Sequence, residues 1–433
     1  MTNSENPYIV RKDNPAHKRL LKRKAKEVRF QSYGIISIAI ASLFLLTLLT
    51  TIVTEGTGAF FKTEIKLSIL FDEEIIAPNG DTSIEALAKI NYVKIVRNSL
   101  KELFPDVKKR KELRRLYGLM SNASELKVRA MVEADPSIIG TRSEIWLPAS
   151  SDIDMLMKGN ISRDIEEKLR RVKDNQIAWV DKIALEGNLR CKFNTEFFTN
   201  GDSREPEQAG ILGAMIGSFF VILVCIGVAM PLGVGTAIYL QEFAPKNKFT
   251  DIIEVNINNL AAVPSIVYGL LGLAVFLNFF GMPRSSAMVG GFALSLLVLP
   301  TIVITTRNAL AAVPPSIRDA AIGLGASPMQ TVMHHVVPLA MPGIMTGVIL
   351  SIARAIGETA PLLMIGMVAF VADVPSSISD PSTALPVQIY LWFDSPEIGF
   401  KEKTSAAIMV LLAFLIVANA VAVYLRNKFE RKW

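Results

Sequence analysis

SIRDAAIGLGASPMQTVMHHVVP, Ser316 to Pro338, lies between two long apolar segments of the 433-residue chain, and its reading decides what kind of molecule this is. It follows Pro314 and Pro315. Ser316 and Asp319, three residues later, have the spacing of a capping box, in which two side chains satisfy orphan amides at a helix N-terminus. A helix is therefore expected to start at Ser316. Ile317, Ala320, Ala321 and Leu324 fall on one helical face, while Gly323, Gly325 and Pro328 end the helix within about two turns. The product is a short knob with an apolar side. It is either a capped connector between membrane helices or a surface that another protein covers, and spacing alone leaves both open.

The flanking segments place this knob in a membrane protein. Hydrophobic residues make up 51% of the chain, above the roughly 45–50% usual for soluble domains, and they come in blocks. Windows at Tyr33–Val53, Ile211–Gly233, Leu260–Phe280, Met288–Thr306, Pro342–Val371 and Ala406–Tyr424 each approach or exceed the roughly 20 residues that cross a bilayer. The expected fold is an all-α polytopic membrane protein with six transmembrane helices and an inserted α-rich (α+β) extracytoplasmic domain.

The formal charge of +6 is concentrated at the ends. Arg11, Lys12, Lys18, Arg19, Lys22, Arg23, Lys24, Lys26 and Arg29 precede the first span, and Arg426, Lys428, Arg431 and Lys432 follow the last. The positive-inside rule then puts both termini in the cytoplasm, which an even number of spans permits. A basic tail on nucleic acid or anionic lipid is the other reading, and no interleaved aromatic residues support it. Cys191 lies in a polar region and Cys225 in a span, so neither a disulfide nor a metal spacing is expected. His334 and His335 read as loop residues rather than ligands.

The expected organisation is a basic tail at 1–32, a first span at 33–54 acting as an uncleaved signal anchor, an extracytoplasmic domain at 55–208, a membrane core at 209–426 and a cytoplasmic end at 427–433. In the polar block, Ile65, Leu67, Ile69 and Phe71 alternate as in a strand, and Asn188–Phe193 is a second strand candidate. Ile84–Leu103, Val107–Met120, Ser124–Ala134 and Arg163–Leu185 have helical periodicity. Asp152 and Asp154 are carboxylates that folding has to place, and the Lys108–Lys111 run reads as a solvated face. No nucleophile and base pair is visible there.

In the core, Gly213 and Gly217 form a G-x-x-x-G pair suited to close helix packing, and Pro231, Gly233 and Gly235 are expected to interrupt the second span. Pro264 and Pro300 fall inside the third and fourth spans. The fifth carries SIARAIGETAPLL, with Arg354 and Glu358 four residues apart on one face and Ser351 three residues before the arginine. Charges inside a span are costly and so point to function. Counting from Pro342 at about 1.5 Å per residue, they lie roughly 18 and 24 Å along the helix. A planar guanidinium suits an oxyanion. Glu358 can neutralise Arg354 between passages and accept a hydrogen bond from a protonated phosphate, which fully deprotonated sulfate lacks. A buried ion pair that only fixes packing and a proton relay are the competing readings.

Asp319-Ala320-Ala321 with Gly325 and Pro338 resembles the EAA loop of ABC-importer permeases, with Asp319 for the usual glutamate, His335 for isoleucine and Val337 for leucine. Together with RAIGETAPLL, AVPSIVYGLLGL at 262–273 and AIYLQEFAP at 237–245, it makes the chain from Phe197 onward resemble PstA-type permease subunits of bacterial phosphate ABC importers. The resemblance implies a permease in the bacterial inner membrane that forms the pathway for inorganic phosphate. The pathway residues would be Arg354, Glu358, Ser351 and Thr359, and the ATPase-coupling residues Ser316, Asp319, Ala320, Ala321, Leu324, Gly325 and Pro338. It further implies a PstC-type permease partner, a cytoplasmic ATPase dimer and an extracytoplasmic phosphate-binding protein. The chain has no G-x-x-x-x-G-K-[ST] motif, so it is expected to be no enzyme and to bind no cofactor itself, with ATP and Mg on the partner ATPase. Transport of sulfate or molybdate, an ion-coupled secondary transporter, and a membrane-anchored sensor are the alternatives.

Overall fold

The computed structural model describes residues 15–77, 83–87, 89–368 and 370–429. Arg11, Lys12, Arg431 and Lys432 lie outside them. Contacts divide the chain into two units, Met1–Thr54 and Glu55–Trp433. The described residues of the first, 15–54, belong to a single helix, α1 (Pro15–Gly56), whose basic stretch from Lys18 to Arg29 is already helical. Ser37, Thr47 and Thr50 donate to carbonyls four residues back at 2.7–2.8 Å, so these hydroxyls need no partner outside the helix.

The second unit opens with the extra domain. Strand β1 (Phe61–Leu70) is central to an antiparallel three-stranded sheet, between β2 (Arg142–Pro148) and β3 (Leu189–Phe193). Ile65, Leu67 and Ile69 face a core shared with helices α2 (Tyr92–Leu103), α3 (Arg110–Tyr117), α4 (Ala123–Ala134), α5 (Ser151–Met157) and α6 (Asp174–Leu185). The expected helix at Ile84–Leu103 is broken before Asn91, whose side chain accepts from Lys94 N and caps α2. The segment from Arg163 is helical only from Asp174, apart from one short turn at Glu167–Leu169.

The membrane core follows as α7 (Leu212–Ile238), α8 (Lys248–Ala261), α9 (Ser265–Gly272), α10 (Ala287–Ala311), α11 (Pro315–Gly323), α12 (Val337–Gly357), α13 (Ala360–Met364), α14 (Leu385–Phe393) and α15 (Gly399–Phe429). Five helices among the described residues are long and apolar enough to cross a membrane. The bent pair Lys248–Ala261 and Ser265–Phe279, with 102° between its halves, makes a sixth where it is counted as one broken span. Pro264 sits at that bend as the N-cap of α9, whereas Pro300 is carried inside a continuous α10.

Several expectations are corrected. Pro231, Gly233 and Gly235 do not interrupt α7, which runs through them and ends in a wide π turn at Tyr239–Phe243. Neighbouring helices stabilise a helix that carries proline inside a membrane core. Gly217 serves close packing, but against the chain rather than a helix: a β-carbon there would strike the Thr383 carbonyl, and Ser218 Oγ accepts from Leu385 N at 2.7 Å. His334 and His335 lie in a π turn, Val332–Val336, that leads into α12. The helix that holds Arg354 starts at Pro328, not Pro342, and stops at Gly357 instead of running on to Val371.

Following the helices end to end sorts the loops. Residues 244–247, 312–327 and the end of α15 gather at one end of the core. The extra domain, the 280–286 turn and residues 358–398 gather at the other, where Ser286 bridges to Pro381.

Candidate functional site

Two sites stand at opposite ends of α12. At its C-terminal end Arg354 lies in the last turn, where a cation complements the helix dipole. Glu358 is the C-cap residue, with φ −83° and ψ 119°, so it has already left the helix. Arg354 and Glu358 therefore do not share a helical face. They meet because the backbone turns: Nε to Oε1 is 3.8 Å, with the arginine side chain 42% and the carboxylate 22% exposed. At that length the pair is an ion pair without a hydrogen bond, and the fork of the guanidinium stays available.

Ser351 is not part of this group. It is buried, and its hydroxyl donates to the Gly347 carbonyl at 2.9 Å. Thr359 follows Glu358 in the break, half-buried, and its carbonyl accepts from Leu363 N at 3.0 Å as α13 begins. A second broken element packs on this one. Gly269 of α9 lies against Pro361, where a β-carbon would come within 2.7 Å of Pro361 Cα. Tyr268 is buried beside it, within electrostatic reach of Arg354, and its hydroxyl donates to the Leu260 carbonyl at 2.6 Å. Tyr268, Gly269 and Pro361 were not picked out from the sequence, although the glycines and prolines of VPSIVYGLLG and GETAPLL mark both breaks.

At the other end, the 316–338 loop begins one step earlier than expected. Pro314, at φ −56° and ψ 136°, is the N-cap of α11, Pro315 is inside the first turn, and no side chain caps the helix. Ser316 and Asp319 thus form no capping box and both are exposed. The capping box of this loop is Ser327 with Gln330, at the start of the Pro328 turn. The four apolar residues split between two faces. Ala321 is buried and Ile317 packs against Leu310, Val313 and Val336, while Ala320 and Leu324 face outward. Leu324 is 91% exposed, and Ile322, Met329 and Met333 extend the apolar surface around it. Gly325, at φ +91°, makes the left-handed turn that only glycine adopts without strain, and Pro338 is half-buried at the start of α12.

The anchor of this loop is a residue that periodicity does not single out. Arg318 donates to both oxygens of Glu242 at 2.6 and 3.1 Å and to the carbonyls of Leu310 and Val313. One guanidinium thus ties α11 to the end of α7 and to the end of α10. In the extra domain, Asp154 accepts from Thr63 N and from Lys158, and Asp152 faces Arg171 with its carboxyl pushed up by burial. The 108–111 run is exposed.

Comparison with known proteins finds two families along the chain. Residues 17–167 match a domain of unknown function (DUF3333), and residues 229–432 match the binding-protein-dependent transport system inner membrane component family. The phosphate transport system permease protein PstA of Haemophilus influenzae is 33% identical over 55% of this chain and 82% of its own length. That of Mycobacterium leprae is 37% identical over 60% of this chain and 90% of its own. The probable ABC transporter permease protein YqgH of Bacillus subtilis is 32% identical over 55% and 79%. A membrane core of this architecture, with these sequence relatives covering most of their own length, belongs to the PstA-type permease family.

Proposed function

We propose that this chain is the permease subunit of an ATP-driven importer of inorganic phosphate in the bacterial inner membrane. The permease relatives and the multiple apolar helices support a multi-pass transport subunit rather than an enzyme. The observation that carries the substrate class is Arg354. A half-exposed guanidinium, only loosely held by Glu358, stands in the last turn of α12, within electrostatic reach of Tyr268 in the bent pair. A binding site inside a transport core has to hold an anion without trapping it. Arg354 offers two parallel donors to a phosphate oxyanion, and Glu358 lowers the charge that the anion leaves behind. Glu358 can also accept from a protonated phosphate oxygen, which disfavours sulfate. Thr359 adds a hydroxyl at the same break; Ser351 backs the helix rather than the pathway.

ATP and its magnesium belong to a separate cytoplasmic ATPase pair in this reading. The outward face of the 316–338 loop, with Asp319, Ala320, Leu324 and Gly325 around Ile322, Met329 and Met333, is the surface on which that ATPase docks. Ala321 and Pro338 hold the loop from within, and the exposed Ser316 belongs to its outward side. With six crossings and the positive-inside rule, this reading has both termini on the ATPase side and the extra domain outside, facing an extracytoplasmic phosphate-binding protein. A second, PstC-type permease completes the pathway. Closure of the ATPase would move α11 and, through Arg318, the inner ends of α7 and α10, so that the break around Arg354 opens to one side at a time.

Arg354→Gln tests the site. Phosphate uptake by the assembled complex in vesicles should fall at least about a hundredfold, as expected for losing a charge-assisted anion contact of about 3 kcal/mol. Complex yield should be unchanged. Normal uptake, or failure to assemble, would return Arg354 to a packing role. Uptake of sulfate in place of phosphate by the parent complex would favour the other oxyanion reading.

A further inference from the structure

The extra domain meets the membrane core through a buried cluster of charges beside an apolar one, in which Ala59 and Phe197 pack with Phe400 and Ala406. Lys62, Asp154 and Lys158 come from the domain, Glu196 and Glu207 from the linker to α7, and Glu402 and Lys403 from the first turns of α15. Lys62, Glu402 and Lys403 are each less than a tenth exposed. Lys158 Nζ lies 2.5 Å from Asp154 Oδ2 and 3.0 Å from Glu402 Oε2, bridging the domain to α15. Asn160 also donates to Glu402, Lys403 donates to the Ala209 carbonyl, and Lys62 pairs with Glu196 at 2.6 Å. The backbone closes tightly on this group. A β-carbon on Gly58 would run into the Glu402 carboxylate, and one on Gly399 into Ser151 Oγ.

At the centre lies a cavity of about 20 Å³ lined by Thr63, Ser151, Asn194, Glu207 and Lys403 among others. Among the described residues, Ser151 Oγ, Asn194 Oδ1 and Glu207 Oε2 around it are buried without a partner of hydrogen-bond geometry, although the Ser121 hydroxyl acts on the Glu207 carboxyl. Asn194 is only 2% exposed, and its amide nitrogen is committed to the Ala59 carbonyl at 3.2 Å. Glu207 uses its other oxygen to accept from Ser151 N at 2.6 Å. Two acceptors and one hydroxyl are therefore left facing a space that fits a single water, which needs roughly 10–15 Å³ on this measure. Lys62, Lys158 and Lys403 balance Asp154, Glu207 and Glu402 in the lining, so no excess of negative charge draws a cation there.

We propose that this joint, closed by one buried water held between Ser151, Asn194 and Glu207, clamps the extra domain to α15 so that the two move as one body during transport. Buried ion pairs seldom add net stability over apolar packing. What so many of them do at one seam is admit one geometry, since any slip strands a charge. The domain is then a rigid extension of the last helix, and force applied to it outside the membrane reaches that helix directly.

The movement rests on the importer reading; the clamp itself does not. Pulsed EPR on the full complex in nanodiscs tests both, with spin labels at Lys108→Cys and Lys401→Cys in a Cys191→Ser background. One narrow distance, the same at rest and after trapping with ATP and vanadate, is expected. Lys158→Met with Glu402→Gln, which removes both charges of the bridge to α15 while Asp154 keeps its bond from Thr63 N, should broaden it. A shift of more than about 3 Å between states, beyond ordinary helix adjustment, or a double variant as narrow as the parent overturns the clamp. A cryo-EM map that resolves waters should show one within hydrogen-bonding distance of the three orphan atoms; a dry cavity overturns that part. If the complex hydrolyses no ATP, the importer reading fails, while the resting distance and its broadening still decide the clamp.

Discussion

Arg318 and Glu242 form a two-pronged ion pair, Nη2 to Oε1 at 2.6 Å and Nε to Oε2 at 3.1 Å, that binds the short helix of the 316–338 loop to the end of α7. The side chains are 22% and 8% exposed, so the pair is shielded from the solvent that makes surface bridges weak. Removing one partner leaves the other charge stranded. Arg318→Met should cost about 2–4 kcal/mol at this seam, where a surface pair would cost less than about 1. The expected outcome is a complex that assembles and hydrolyses ATP but transports poorly. Measured phosphate taken up per ATP should drop several-fold; an unchanged ratio would show that the loop needs no such anchor.

Leu324 makes the opposite prediction. It is 91% exposed and touches little within the chain, so Leu324→Asp should leave folding within about 0.5 kcal/mol of the parent. If the face around it is covered by the ATPase, the same change should sharply reduce ATPase copurification with the tagged permease. Retention at the parental level would mean that this knob is a plain connector.

Glu64 tests the extra domain. It is fully buried on β1, and Arg190 donates to its Oε2 at 2.6 and 2.9 Å, with Lys127 3.4 Å from Oε1. Burial alone would raise its pKa, but the Arg190 hydrogen bonds and the charges of Lys127 and Lys62 outweigh it and hold the carboxyl below its ordinary 4.5. A depressed folded pKa means that the unfolded chain takes up protons first on acidification. The stabilisation is thus complete above pH 4.5 and fades as the pH falls through the folded value. Glu64→Gln should lower the melting temperature of the detergent-solubilised chain at pH 7 and lose this acid-side dependence. A Glu64→Gln melting curve that still falls with the parent's slope below pH 4.5 would assign the dependence elsewhere.

The membrane core was legible because its signal is additive: some 20 apolar residues in a row cannot stay in water, whatever they later pack against. Strand β1 was legible for a similar reason, with Ile65, Leu67 and Ile69 facing one way. Strand β2 was not, since RSEIWLP places only Ile145 and Leu147 on the core face between charged neighbours and depends on β1 for its pairing. Charge placement was half legible. SIARAIGETAPLL announced Arg354 and Glu358, but the helix stops between them, and the warning was already there in Gly357 and Pro361. The expected Ser316 cap failed because Pro314 and Pro315 set the backbone angles for helix entry themselves and moved the start upstream.

The sequence by itself thus determined the apolar segments, the loop between the fourth and fifth of them, and the residue types around the break after Gly357, all of which are properties of contiguous stretches. Tertiary structure decided which charges meet. Lys158 and Glu402 are 244 residues apart, and Arg318 finds Glu242 across 76. No local period encodes such pairs, because they depend on how separate elements dock, and a buried charge is tolerated only where docking supplies its partner.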